Sequence, residues 1–237
     1  MHYAIIAAGE GSRLVEEGVP VPKPLVDLDG RPMIRRLIDI FASYRPESLN
    51  IIVNEHMTAV REYLESIAPE LPFPLRLTVK STPSSMHSFF EVSRGFEAGK
   101  FILTTVDTIF REPDFVRYAA AFDADTSADG CFGVTDFIDD EKPLYVDVDP
   151  ETMLITAFRD RPDGNDRYIS GGIYGLTAPA LKVLEECMEA GVSRMRNYQR
   201  ALIEAGMRLR AFPFPKIVDV DHAGDIETAR AFINEAN

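Results

Sequence analysis

The chain has 237 residues, 46% of them hydrophobic, which is enough to bury a sizeable core as one α/β domain with an insertion or as two small domains. Its formal net charge of −13 argues against nucleic acid as a general partner, because such binding leans on a basic surface, but not against a small anion held by a few local cations. No apolar run approaches the ~20 residues of a membrane span, no basic segment precedes the first apolar run as in a signal peptide, and the two cysteines, Cys131 and Cys187, form no metal or disulfide pattern, so a cytoplasmic protein with no membrane partner is expected.

In chain order, residues 3–8 form a short apolar run that ends in Gly9-Glu10-Gly11, the pattern of a buried strand entering a tight turn. Pro32 opens a helix that carries Met33, Ile34, Leu37, Ile38 and Phe41 at helical spacing. Residues 49–53 read as a second strand, and Met57, Val60, Leu64 and Ile67 as the apolar face of the next helix. Residues 69–74 are a proline-broken connection. A strand at 75–79, a helix at 84–98 and a strand at 101–106 follow. Strands alternating with helices imply parallel pairing in a sheet covered on both faces.

The middle of the chain changes character. Residues 131–137, 145–148, 153–158 and 168–176 are short strand-like runs with few helices between them, so a smaller, partly antiparallel layer is expected. Residues 159–167 carry turn chemistry in Pro162, Asp163, Gly164 and Asn165. Thr177 is a candidate N-cap for a helix carrying Leu181, Leu184, Cys187 and Met188, which stops at Gly191. A helix at 193–205, strands at 207–214 and 216–220, and a last helix with Ile226, Ala229 and Ile233 on its apolar side complete the chain.

The chemistry concentrates in the first thirty-odd residues. Gly9 and Gly11 let the backbone approach a ligand closely, and successive N–H groups in such a turn form an anion-binding concavity. Arg13 and Lys23 add a fork and a point charge, both suited to phosphate. The stretch lacks the third glycine of the dinucleotide fingerprint and the GK[ST] of a P-loop. A nucleoside triphosphate is the expected ligand of this segment. In an open parallel sheet, ligands bind beyond the carboxyl ends of the strands. Asp107 sits there, after the 101–106 strand, and is the first candidate ligand for Mg²⁺, which takes one or two carboxylates together with phosphates and water. Asp219 and Asp221 are two residues apart, so on a strand they share a face. One of them is the second candidate ligand, and the other is free to cap the following helix.

Residues 7–14, AAGEGSRL, and 22–26, PKPLV, resemble the signature of the sugar nucleotidyltransferases, the nucleoside-diphosphate-sugar pyrophosphorylases. The resemblance implies their fold, a Rossmann-like, mainly parallel mixed sheet flanked by helices. It implies one domain over 1–237, in which 1–125 bind the nucleotide while 126–237 bind the acceptor and supply the second metal-ligand segment. It implies nucleotide contacts from Ala7, Ala8, Gly9, Gly11, Ser12 and Arg13. Ser84 and Ser85 stand where many relatives place a glycine-containing segment against the base, although the glycine is absent here. Ser170-Gly171-Gly172-Ile173-Tyr174 is similar to the family's sugar-facing strand, so Gly171 and Gly172 are expected against the acceptor. Arg161, or alternatively Lys142, takes the place of a lysine that meets the sugar phosphate. Residues 219–226, DVDHAGDI, resemble the acidic segment before the family's last helix.

The activity so implied is transfer of NMP from a nucleoside triphosphate to a sugar 1-phosphate, with Mg²⁺ as cofactor, pyrophosphate as leaving group, and Arg13 and Lys23 as the catalytic cations. The alternatives are a CTP-dependent phosphocholine cytidylyltransferase, for which Phe89, Phe90, Tyr145, Tyr168 and Tyr174 are available as an aromatic cage, and a non-catalytic nucleotide-sugar-binding regulator on the same fold. The base, the sugar and whether the chain forms a homo-oligomer are left open.

Overall fold

The computed structural model describes residues 1–96, 98–139 and 141–235. Glu97, inside the expected 84–98 helix, and Asp140, beside Lys142, lie outside them, as do the last two residues. The elements are β1 (His2–Ala7), α1 (Ser12–Glu16), β2 (Asp27–Leu28), β3 (Arg31–Pro32), α2 (Met33–Ala42), β4 (Ser48–Val53), α3 (Thr58–Ile67), β5 (Leu75–Val79), α4 (Ser85–Val92), β6 (Lys100–Thr105) and β7 (Thr108–Ile109). They continue with α5 (Glu112–Ala124), β8 (Gly130–Thr135), β9 (Tyr145–Val148), β10 (Ile155–Arg159), β11 (Tyr168–Thr177), α6 (Pro179–Glu189), α7 (Met195–Glu204), β12 (Leu209–Phe214), β13 (Val218–Asp219) and α8 (Ala223–Asn234).

The main sheet runs β10-β9-β11-β6-β1-β4-β5, with β8 paired to β11 and β12 to β8. Its first half is parallel: Ile5 of β1 is in register with Ile51 of β4, and also with Thr104 of β6. The later strands extend the same sheet, β11 lying antiparallel to β6, β8 and β9. A separate antiparallel ribbon, β7 with β13, pairs Thr108 with Asp219. The β11–β8 register shifts between Ser170 and Tyr174. The shift spans Gly171 and Gly172, where the regular pairing of the two strands is interrupted.

Strand alternation explains the layering. Tyr3, Ile5 and Ala7 of β1 face one core with α2, α3 and α5, while Ala4 and Ile6 face another with α4, α6 and α7. A third, smaller core joins Leu14 of α1, Val26, Leu28, Val218 and Val220 to Phe232 of α8. It clamps the glycine loop against the C-terminal segment.

Several expectations are corrected. α4 ends at Val92 rather than 98. Thr177 does not cap α6: it ends β11, its hydroxyl donates to the Asp129 carbonyl at 2.9 Å, and Ala178 is the N-cap. Asp221 does not cap α8 either. His222 holds that position, and Asp225 accepts from both the Asp221 and His222 amides. Helix α5 lies in a stretch where no element is expected from the sequence. Gly191 does stop α6, with φ 71° and its N–H donated to the Met188 carbonyl.

Candidate active site

The carboxyl ends of β1, β4 and β6 open on a cavity of about 660 Å³ whose walls include Ala8, Gly9, Gly11, Ser12, Arg13 and Lys23. A second cavity, of about 470 Å³, lies on the β11–α7 side. Ser85, Thr105, Asp107 and Asp221 line both.

The glycine loop follows from its residues. Gly11 takes φ +62°, and a Cβ there would meet Lys23 Cβ at 2.9 Å, so both conformation and space require glycine. Lys23 enters from a single 3₁₀ turn, Lys23–Leu25, and only 8% of it is exposed. Its Nζ donates to Asp107 Oδ2 at 2.5 Å and to Asp221 Oδ1 at 2.7 Å. Arg13 Nη1 reaches the other oxygen of Asp221 at 2.9 Å. Two segments about two hundred residues apart therefore meet on one carboxylate. The third core puts them there, and the β7–β13 ribbon sets Asp219 and Asp221 beside the loop that carries Asp107, with the Val220 amide on the Asp107 carbonyl.

The charge states follow from this packing. Burial pushes the Asp107 carboxyl up, but the Lys23 ammonium and hydrogen bonds from Lys23 and Thr105 outweigh it and hold Asp107 below its ordinary value. Burial likewise pulls Lys23 down, and Asp107 and Asp221 outweigh it, so Lys23 stays charged well above its ordinary range. Neither group is set up to exchange a proton near neutral pH.

The donor set fits Mg²⁺. Asp107 and Asp221 present hard oxygens to a single ammonium, and Asp219 lines the second cavity beside them. No cage of three or more acidic, His or Cys side chains exists among the described residues. Were Mg²⁺ held here, phosphate and water would have to complete its coordination, the usual arrangement for this ion.

The other expected site residues are placed as follows. Ala7 ends β1 with its side chain in the core, while Ala8 lines the first cavity. Ser84 and Ser85 line that cavity, but their hydroxyls accept from the backbone amides of Arg194 and Met195 at 3.1 and 3.3 Å. Gly172 lines the second cavity at φ +72°, where a Cβ would sit 2.4 Å from Thr108 Oγ1. A side chain at Gly171 would run into Ile217 instead. Lys142 lines the second cavity. Arg161 is exposed and does not line it, and its carbonyl accepts from Arg159.

Sequence reasoning missed Arg194, Arg196 and Gln199, all on the second cavity. Gln199 is buried and links Ser170 to the Tyr174 hydroxyl. Its signal was a polar residue one position from Tyr198 on the buried face of a helix. Arg194 gave none. The proposed aromatic cage is not assembled. Phe89 and Tyr168 pack in the core, Arg94 lies over Phe90 and Arg159 over Tyr145, and Tyr174 is the aromatic side chain on the second cavity.

Among the described residues no helix is long and apolar enough to cross a membrane. The fold is shared by the inositol-1-phosphate CTP transferase from T. maritima (TM-score 0.81, 21% identity, 99% of this chain and 96% of that one). It is also shared by a putative glucose-1-phosphate thymidylyltransferase from Bacillus anthracis (TM-score 0.82, 15% identity, 100% and 96%). In sequence, the chain is 22% identical over 243 residues to the bifunctional protein GlmU of Methanococcus maripaludis, covering 99% of this chain and 55% of that one. It is 26% identical over 190 residues to the mannose-1-phosphate guanyltransferase of Schizosaccharomyces pombe, covering 78% and 52%. The chain thus spans about half the length of the curated relatives it matches. Residues 3–154 match the family described as the MobA-like NTP transferase domain, and the chain belongs to that family.

Proposed function

We propose that the chain transfers a nucleotidyl group from a nucleoside triphosphate to a sugar 1-phosphate, releasing pyrophosphate. The observation that carries this reading is the junction at Lys23, where a buried ammonium lies between Asp107 and Asp221 and two cavities meet. The first cavity fits a nucleoside triphosphate at the glycine loop. The second fits an acceptor with hydroxyls and a phosphate: it offers Ser170, Gln199 and the Tyr174 hydroxyl on one side and Lys142, Arg194 and Arg196 on another.

An acceptor phosphate oxygen attacks the α-phosphorus in line, the bond to the β-phosphate oxygen breaks, and pyrophosphate leaves with the electron pair. The acceptor is already anionic at neutral pH, so the reaction asks for positioning and charge rather than a base. The loop amides and Arg13 hold the β- and γ-phosphates. Lys23, fixed in its charged form, faces charge growing on the α-phosphoryl oxygens. Asp107 with Asp219 or Asp221 would hold Mg²⁺, which supplies positive charge against the phosphate oxygens when bound.

A quaternary-ammonium acceptor fits less well, because the second cavity has one aromatic ring and several cations rather than an aromatic cage. The test is pyrophosphate release with Mg²⁺, crossing four nucleoside triphosphates against a panel of sugar 1-phosphates, inositol 1-phosphate and phosphocholine, with Asp107→Ala as control. Release with one donor–acceptor pair that vanishes in the variant supports the reading. Nucleotide binding with no release under any acceptor points instead to a nucleotide-sugar-binding regulator.

A further inference from the structure

Ser84 stands at the N-cap of α4, the position where serine usually accepts from its own helix. It does not do so here. Its hydroxyl accepts from the Arg194 amide at 3.1 Å and pairs with His87 Nδ1 at 2.8 Å. The hydroxyl of Ser85, one residue on, accepts from the Met195 amide at 3.3 Å. Arg194 and Met195 are the N-cap and first residue of α7, and that helix has no side-chain cap of its own. Two serines of the nucleotide cavity therefore satisfy the open N–H groups of a helix on the acceptor side.

The residue they hold is strained. Arg194 has φ 71° and ψ 138°, near a region that glycine dominates. Such a conformation persists where the surroundings over-determine it, and it is concentrated where a side chain must be aimed. Arg194 is exposed and lines the acceptor cavity with Lys142 and Arg196.

We propose that Ser84 and Ser85 are positioning residues of the acceptor subsite rather than ligands of the base: their hydroxyls fix the strained Arg194 backbone, and so set where its guanidinium meets the acceptor phosphate. The inference rests on the acceptor reading above. It links the two subsites, because the segment that closes the nucleotide cavity also builds the acceptor cavity.

The experiment compares the wild-type chain with S84A/S85A, S84T/S85T, R194A and the triple variant S84A/S85A/R194A. Amide hydrogen exchange is read at Arg194 and Met195, and KM for each substrate with the active donor–acceptor pair. In S84A/S85A the two amides should lose protection while the interior of α7 keeps it. Acceptor KM should rise about tenfold, with KM for the nucleotide within about twofold. S84T/S85T should restore both. Because the serines act through Arg194, the triple variant should be no worse than R194A. Unchanged protection at both amides, a rise confined to nucleotide KM, or fully multiplicative losses in the triple variant would overturn the proposal. A wild-type chain that releases no pyrophosphate counts against the reaction alone, and the positioning role is then decided by the exchange data.

Discussion

The proposed catalytic charge of Lys23 and its pairing with Asp107 and Asp221 are read by different measurements. Lys23→Met removes the charge proposed to face the α-phosphate and also takes from Asp107 its ammonium partner, leaving Asp221 with Arg13 alone. Turnover should fall by about 10²–10³-fold, the scale for loss of one preorganised charge. Stability should fall by about 1–3 kcal/mol, less than for a fully buried pair because Asp221 is 43% exposed at its side chain. If the two carboxylates are the Mg²⁺ ligands, urea titration should show millimolar Mg²⁺ recovering much of that stability in the variant and adding little to the wild type. Equal stabilisation of both proteins would argue against that pair as the metal site. Gly11 makes a different demand. Gly11→Ala places a Cβ 2.9 Å from Lys23 Cβ at a positive φ, so it should cost at least about 1 kcal/mol in urea and weaken nucleotide binding through displaced Lys23. Wild-type affinity in a folded variant would show that the loop does not need this geometry.

At the scale of elements, much of the architecture is readable because strands and helices leave different periodicities. The apolar runs of β1, β4 and β6 and the faces of α2 and α3 predict their own burial, and Asp107 follows from its place after β6. Helix α5 was equally readable, since Phe115, Tyr118, Ala119 and Phe122 recur at helical spacing and are buried. The roles of Ser84 and Ser85 were not, because their partners lie 110 residues away in sequence. Nor was the placement of Arg161 outside the cavity, since local turn chemistry does not say which way the connection from β10 to β11 leans. Asp125, just past α5, shows how such elements are tied. It accepts from the Ser127 hydroxyl and amide, from the Ala128 amide and from Arg210 of β12. The Ser127 hydroxyl, its amide and Arg210 outweigh burial and hold the carboxyl well below its ordinary range. A depressed carboxyl stabilises the fold above its unfolded pKa of about 4, and that contribution is lost as pH falls towards the folded value. Asp125→Asn should therefore cost about 1–2 kcal/mol at pH 7 in urea, and the gap to wild type should shrink at pH 3. A gap that stays constant between the two pH values would show that the charge of Asp125 is not what matters.

For the whole molecule, the decisive contact joins its two ends. Arg13 and Lys23 come from the first thirty residues and Asp221 from the last twenty, and the third core of Leu14, Val26, Val218 and Phe232 brings them together. Sequence periodicity reports each end alone, so which of Asp219 and Asp221 faces the loop had to come from the fold. A ligand that binds across this junction stabilises it by mass action, about 2.7 kcal/mol at a hundred times its Kd. With Mg²⁺ and the active nucleoside triphosphate present, the thermal midpoint should rise, and the rise should depend on both. Asp221→Ala releases Arg13 and Lys23 from their shared carboxylate while deleting a candidate metal ligand. Without Mg²⁺ the variant should bind the triphosphate as well as wild type or better, because Arg13 no longer faces a competing anion and Lys23 faces only Asp107. With Mg²⁺ it should gain less from the metal than wild type does. Titration calorimetry with and without the metal separates the two effects. A variant weaker than wild type in both conditions would show that Asp221 holds the junction together rather than alternating between its cations and a metal-bound nucleotide.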